Sequence, residues 1–238
     1  MASLAIFIAY FIFGISGFGA SLVAVPILAQ FYPLQSIVPV MVLIDIVASL
    51  YLGRRLSGEA DKAELIWILP FTLLGMLIGI TLLLSAPSEP LLAILGCFAT
   101  LNGVRVLMIR KSDVHKKINQ WWALPFGIAG GIFTALFATG GAIYASYLQM
   151  RIANPHVVRA TMAFAILMLT FLRLIFMIVT GLLLSSNIFG LAIALVFPMG
   201  LGMWLGTRMH SKMSMAGVQR IYGLILLFSG LLLVLRQF

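Results

Sequence analysis

Charge is what this chain most lacks. Only 9% of its 238 residues are Asp, Glu, Lys or Arg, and just six are acidic. A soluble domain carries about 25% charged residues, so a water-exposed globule is excluded. Cysteine is nearly absent too. The lone Cys97 rules out an internal disulfide, and inside an apolar stretch it reads as a small packing residue. The three histidines, His115, His156 and His210, are scattered over connectors. No HExxH pattern and no cluster of carboxylates or histidines suggests a metal site or a catalytic dyad. We therefore expect no cofactor and no enzymatic activity. Lysine and arginine are missing before Arg54. A secretory signal needs a basic first region, so the apolar N-terminus is expected to stay in the mature protein. Polar linkers and low-complexity tails are missing as well, which leaves any function inside the apolar body.

What is present is 63% hydrophobic residues, with a mean hydropathy of +1.16. Eight apolar segments can be marked, at 2–32, 34–53, 63–84, 90–110, 119–150, 155–183, 187–208 and 214–236. A membrane-crossing helix needs about 20 such residues. The segments are long and lack period-two alternation, which argues against a β-barrel. The reading is an all-α polytopic membrane protein. Pro33, Pro90 and Pro155 stand near segment starts, where a missing N–H does no harm. Asn154, Ser186 and Ser214 suit helix N-caps, and Trp67, Trp121 and Trp122 suit the lipid–water interface. The formal charge of +9 lies mainly in short connectors, where it sets topology and calls for no nucleic acid.

Two segments are too long for one tidy crossing, and both are broken by glycine, so each reads as a re-entrant hairpin or as one long, kinked, tilted crossing. Gly17-Phe18-Gly19-Ala20-Ser21 interrupts 2–32, and Thr139-Gly140-Gly141-Ala142 interrupts 119–150. Paired interruptions in corresponding positions of two halves point to a transporter's binding site. The halves also match elsewhere. Gly19 and Pro33 align with Gly141 and Pro155, Gly75 and Gly79 with Gly202 and Gly206, Gly96 and Gly103 with Gly223 and Gly230. We therefore expect one transmembrane domain of two repeats, 1–112 and 113–238. Charge sets their orientation. Arg54, Arg55 and Lys62, then Arg110, Lys111, Lys116 and Lys117, place two connectors in the cytoplasm. Arg151, Arg159, Arg208 and Lys212 join them there only if segment 119–150 enters and returns as a hairpin. Each half then has a hairpin plus three crossings, and the two halves are inverted.

The run Gly17 to Leu28, GFGASLVAVPIL, resembles the glycine-rich motif of the TauE/SafE family of sulfite exporter-like membrane proteins. The second motif is similar: Gly130-Gly131, Thr139-Gly140-Gly141-Ala142, Tyr147-Leu148 and Arg159-Ala160-Thr161. The resemblance covers nearly the whole chain. It implies export of small sulfur-containing anions such as sulfite or sulfoacetate, and with it a bacterial inner membrane.

At each break the second half-helix begins inside the membrane with free N–H groups and roughly half a positive charge. Two such ends face to face make an anion site without any lysine. The expected substrate-binding residues are Gly17, Gly19, Ser21, Thr139, Gly140, Gly141 and Arg159, with Ser16 as a further hydroxyl donor. Gly75, Gly79, Gly202 and Gly206 read instead as helix-packing residues. Asp45 and Arg173 are the charges deepest in predicted crossings, at matched depth, and are expected to pair. Arg159 and Arg105 lie near cytoplasmic ends, where either suits an inward-facing mouth that draws anions or a topology-setting contact with lipid headgroups, the latter reading favoured for Arg105. The partners expected are a small anion and the lipid bilayer; the oligomeric state stays open. Transport by alternating access competes with a passive anion channel or uniporter in the same fold.

Overall fold

The computed structural model describes residues 2–108, 118–183, 186–209 and 215–236. Several sequence expectations fall outside them: the charges Arg110, Lys111, Lys116, Lys117 and Lys212, His115 and His210, and the cap Ser214. The side chains of Arg54, Arg55 and Ser186 are likewise undescribed.

All regular structure among the described residues is helical: α1 (Ala2–Ser16), α2 (Ala20–Leu28), α3 (Leu34–Leu56), α4 (Lys62–Ser85), α5 (Ser88–Met108), α6 (Ala123–Phe137), α7 (Gly141–Arg151), α8 (Pro155–Val179), α9 (Ser186–Met209) and α10 (Met215–Leu235). Among the described residues, six spans are long and apolar enough to cross a membrane, the shortest being Leu34–Tyr51 and Gln120–Phe137. The outer surface is apolar: Leu101, Val179, Ile193 and Phe197 are each more than two-thirds exposed. A soluble protein would aggregate through such a surface, whereas lipid solvates it. Cys97 is on this face as well. It is exposed, so the expectation of a small packing residue is corrected: its neighbour Gly96 takes the helix contact instead.

Local chemistry sets the helix ends. Asp61 caps α4 by accepting from Ala63 N and Glu64 N. Asn154 caps α8, with Pro155 in its first turn. Both long segments break where the glycines lie. Between α1 and α2, Gly17 and Gly19 adopt φ of 82° and 91°, which side chains rarely tolerate. Between α6 and α7 the corresponding turn is made by Ala138, at φ 61°.

The α6–α7 unit doubles back. Ile118 N donates to Met150 O at 3.4 Å and Arg151 Nη1 donates to Ile118 O at 2.8 Å. Ile118, five residues before α6, therefore sits beside the end of α7. Length and composition alone would let α6 cross a membrane, yet the chain returns to the side it came from.

Glycines fix the helix pairs. A Cβ on Gly79 would meet Ile132 O at 2.7 Å, and one on Gly75 would collide with Ile128 O, so α4 lies parallel to α6. Gly202 meets Phe7 and Gly206 meets Phe11 in the same way, setting α9 parallel to α1. Gly96 faces Gly230 and Gly103 faces Gly223, so α5 and α10 run antiparallel. Backbones this close gain dispersion contacts that larger residues would prevent. Helix α3 packs along α8, also antiparallel, with Asp45 beside Arg173 at one level and Asp61 N on Thr161 Oγ1 (2.9 Å) at another. Exchanging α1–α5 for α6–α10 turns the α4–α6 contact into α9–α1 and maps α5–α10 and α3–α8 onto themselves.

Candidate anion site

The two breaks meet. Phe18 Cβ would lie 3.9 Å from a Cβ on Gly141. Between the breaks is a cavity with about 40 Å3 of room for water-sized atoms, lined from α2 by Gly19, Ala20 and Ser21, and from the second break by Ala138, Thr139 and Gly141. One water needs about 10–15 Å3 by this kind of measure, so an anion of a few heavy atoms fits. The N-terminal ends of α2 and α7 have no side-chain cap. Their first N–H groups thus remain for a ligand, and their dipoles favour a negative one.

The far wall carries charge. Asp45 sits midway along α3, and Arg173 on α8 reaches it, Nη2 donating to Oδ2 at 3.3 Å. Tyr10 on α1 donates to Asp45 Oδ1 at 2.6 Å, and Ser21 donates to Oδ2 at 2.9 Å. Tyr10, Asp45 and Arg173 are all buried, so one acidic side chain gathers α1, α2 and α8 around the cavity. Two buried atoms lack a hydrogen-bond partner there: Thr139 Oγ1 and Arg173 Nε. Both side chains line the cavity. Buried polar atoms ordinarily find partners, and two donors around one cavity form a receptacle for an acceptor.

The structure places the expected residues in three groups. Gly19, Ser21, Thr139 and Gly141 line the cavity, together with Asp45 and Arg173. Gly17, Gly140 and Arg159 do not. A Cβ on Gly17 would lie 3.3 Å from Arg159 Cγ, and Arg159 Nη2 donates to Gly14 O at 3.4 Å. These two brace the first break from behind. Gly140 is pressed against Thr134 and Gly130 O, where any side chain would collide, so its role is close packing. Ser16 is used locally, its hydroxyl 2.7 Å from Phe18 O. Arg105, expected at lipid headgroups, donates to Ser146 Oγ on α7 at 2.5 Å.

Sequence reasoning missed Tyr10, Ala138 and Glu64. Glu64 is buried at the start of α4 and accepts from Tyr147 Oη (2.9 Å) and Arg151 Nε (2.9 Å), with Arg151 Nη2 closing the ion pair. It anchors the end of α7 to α4. The one available signal was an acidic residue entering an apolar segment with no local partner.

No curated protein and no solved structure matches the chain. A family model described as "Sulfite exporter TauE/SafE" matches residues 2–233. With that match across nearly the whole length and a body of membrane-compatible helices, the chain belongs to the TauE/SafE sulfite exporter family of multi-pass membrane transporters.

Proposed function

We propose that the protein exports a small sulfur-containing anion, such as sulfite, sulfoacetate or a related sulfonate, across the bacterial inner membrane by alternating access. The substrate site is the cavity between the two breaks, built from Gly19, Ser21, Thr139, Gly141 and Arg173. The observation that carries this reading is the convergence of two uncapped helix N-termini on one small cavity with unpartnered donors from Thr139 and Arg173. Gly17, Gly140 and Arg159 support the site from outside its lining.

The architecture in this proposal is two inverted repeats, 1–112 and 113–238, each a re-entrant hairpin followed by three crossings. Support comes from the doubling back of α6–α7 and from the antiparallel packing of α5 with α10 and of α3 with α8. Equivalent helices of inverted repeats run in opposite directions, as these do. Such repeats can rock against each other around a fixed site. Outward movement of an anion is already favoured by an inside-negative potential, by about 2.3 kcal/mol per charge per 100 mV.

Proteoliposomes loaded with labelled sulfite test the reading. Efflux is expected to saturate and to accelerate when unlabelled sulfite is placed on the other side. Efflux without such acceleration would indicate a passive pore, and no sulfite or sulfonate flux at all would overturn the proposal.

A further inference from the structure

The cavity holds an acid as well as donors. Asp45 lines it, although a carboxylate beside an anion site repels the ligand the site is built for. A carboxylate has about four acceptor positions. Tyr10, Ser21 and Arg173 occupy three of them. Around the same cavity, Thr139 Oγ1 and Arg173 Nε are donors without a partner. The receptacle therefore offers at least two donors and one leftover acceptor. That pattern is complementary to an anion that also carries an acidic O–H.

We propose that Asp45 is a specificity-determining residue that admits oxyanions bearing a proton, such as hydrogen sulfite, and rejects anions that have none to donate. This rests on the cavity being the substrate site, and it narrows the sulfur anions named above. The oxygens of a hydrogen oxyanion accept from Thr139 and Arg173 while its hydroxyl donates to Asp45. No covalent bond changes and the proton stays with the substrate. An anion lacking that proton sets its lone pairs against the Asp45 carboxylate. A site built to pair a substrate hydroxyl discriminates strongly against analogues without it, because its own buried group is left unsatisfied. The groups facing Asp45 are the Tyr10 hydroxyl from α1, the Ser21 hydroxyl from α2 and the Arg173 guanidinium from α8, and all three donate to it.

Calorimetric titration of the purified full chain in detergent, with three anions over a pH series, tests this. Sulfite gains or loses its proton near neutrality. Sulfate carries two charges and no proton, and methanesulfonate carries one charge and no proton. The proposal expects sulfite affinity to fall about tenfold per pH unit above its ionisation, following the hydrogen sulfite fraction, and the other two to bind at least about tenfold more weakly than hydrogen sulfite. Asp45→Asn supplies a donor at the same place and should bring methanesulfonate to within about tenfold of hydrogen sulfite. If that variant does not fold, the wild-type profile decides alone. Equal binding of hydrogen sulfite and methanesulfonate by the wild type would overturn the proposal while leaving the site in place. So would methanesulfonate binding that strengthens as pH falls, since the proton would then reside on Asp45. Binding of none of the three anions would overturn the site and this inference together.

Discussion

Ala138 carries the least comfortable backbone at the site. Its φ of 61° is left-handed, and it is the single positive-φ residue other than glycine among those described. An L-residue there costs about 1–2 kcal/mol, part of which glycine returns through its freer unfolded chain. Ala138→Gly should therefore raise stability by about 0.5–1 kcal/mol in detergent unfolding, and a lower stability would show that the turn is not strained. Asp45 and Arg173 make a second test. Removing one member of a buried pair costs about 3–5 kcal/mol, from measurements in soluble proteins. Asp45→Asn and Arg173→Gln should each destabilise, and the double change should regain part of the loss; strictly additive effects would mean that the side chains do not interact. This pair was legible from depth alone, because a charge ten residues into an apolar helix has few places to go. Ala138 was not: alanine has no preference for a left-handed turn, and Thr139, Gly140 and Gly141 drew attention past it. Nor was Tyr10, whose sequence context is that of any lipid-facing aromatic residue.

The broken helices were legible as elements because glycine pairs interrupt runs that are otherwise all apolar. The return of α7 to the start of α6 was legible only indirectly, through the side on which Arg151 and Arg159 had to fall. The contacts that hold it there were hidden, since Glu64 and Arg151 lie 87 residues apart. Glu64→Gln leaves Arg151 without its counter-charge in a site where both side chains are only about a tenth exposed. Loosening of α7 should follow, read as faster hydrogen exchange across Gly141–Arg151, with exchange in α5 unaffected. Unchanged exchange in α7 would separate the ion pair from the hairpin's stability. Cysteines placed at Ile118 and Met150 in a Cys97→Ser background should be joined by a short bifunctional reagent. Failure to join while both sites react singly would contradict the hairpin. Among the glycines, sequence spacing separated packing from site correctly for Gly75, Gly79, Gly202 and Gly206, whose missing side chains admit a neighbouring backbone. It could not separate Gly140 from Gly141. Adjacent residues share a motif, and only the fold reveals that one is pressed on Thr134 while the other opens on the cavity.

At the scale of the molecule, the two helix breaks close on one cavity. The charge at the cavity is unevenly shared, since Asp45 comes from α3 and Arg173 from α8. The overall class was legible from composition; which helices pair was not, since the glycine spacing marks a packing face without naming its partner. The cavity's chemistry was not, because unpartnered hydroxyl and guanidinium atoms are a property of packing. The central claim, that an anion rests between the breaks, can be read directly. Selenite has the shape and charge of sulfite and scatters X-rays anomalously. A structure of the methionine-containing protein with selenite bound is expected to show one anomalous peak in the cavity, within hydrogen-bond reach of Thr139 Oγ1 and the Arg173 guanidinium, and to lose it in Gly141→Leu. A peak elsewhere, or an empty cavity in protein that transports sulfite, would contradict the account.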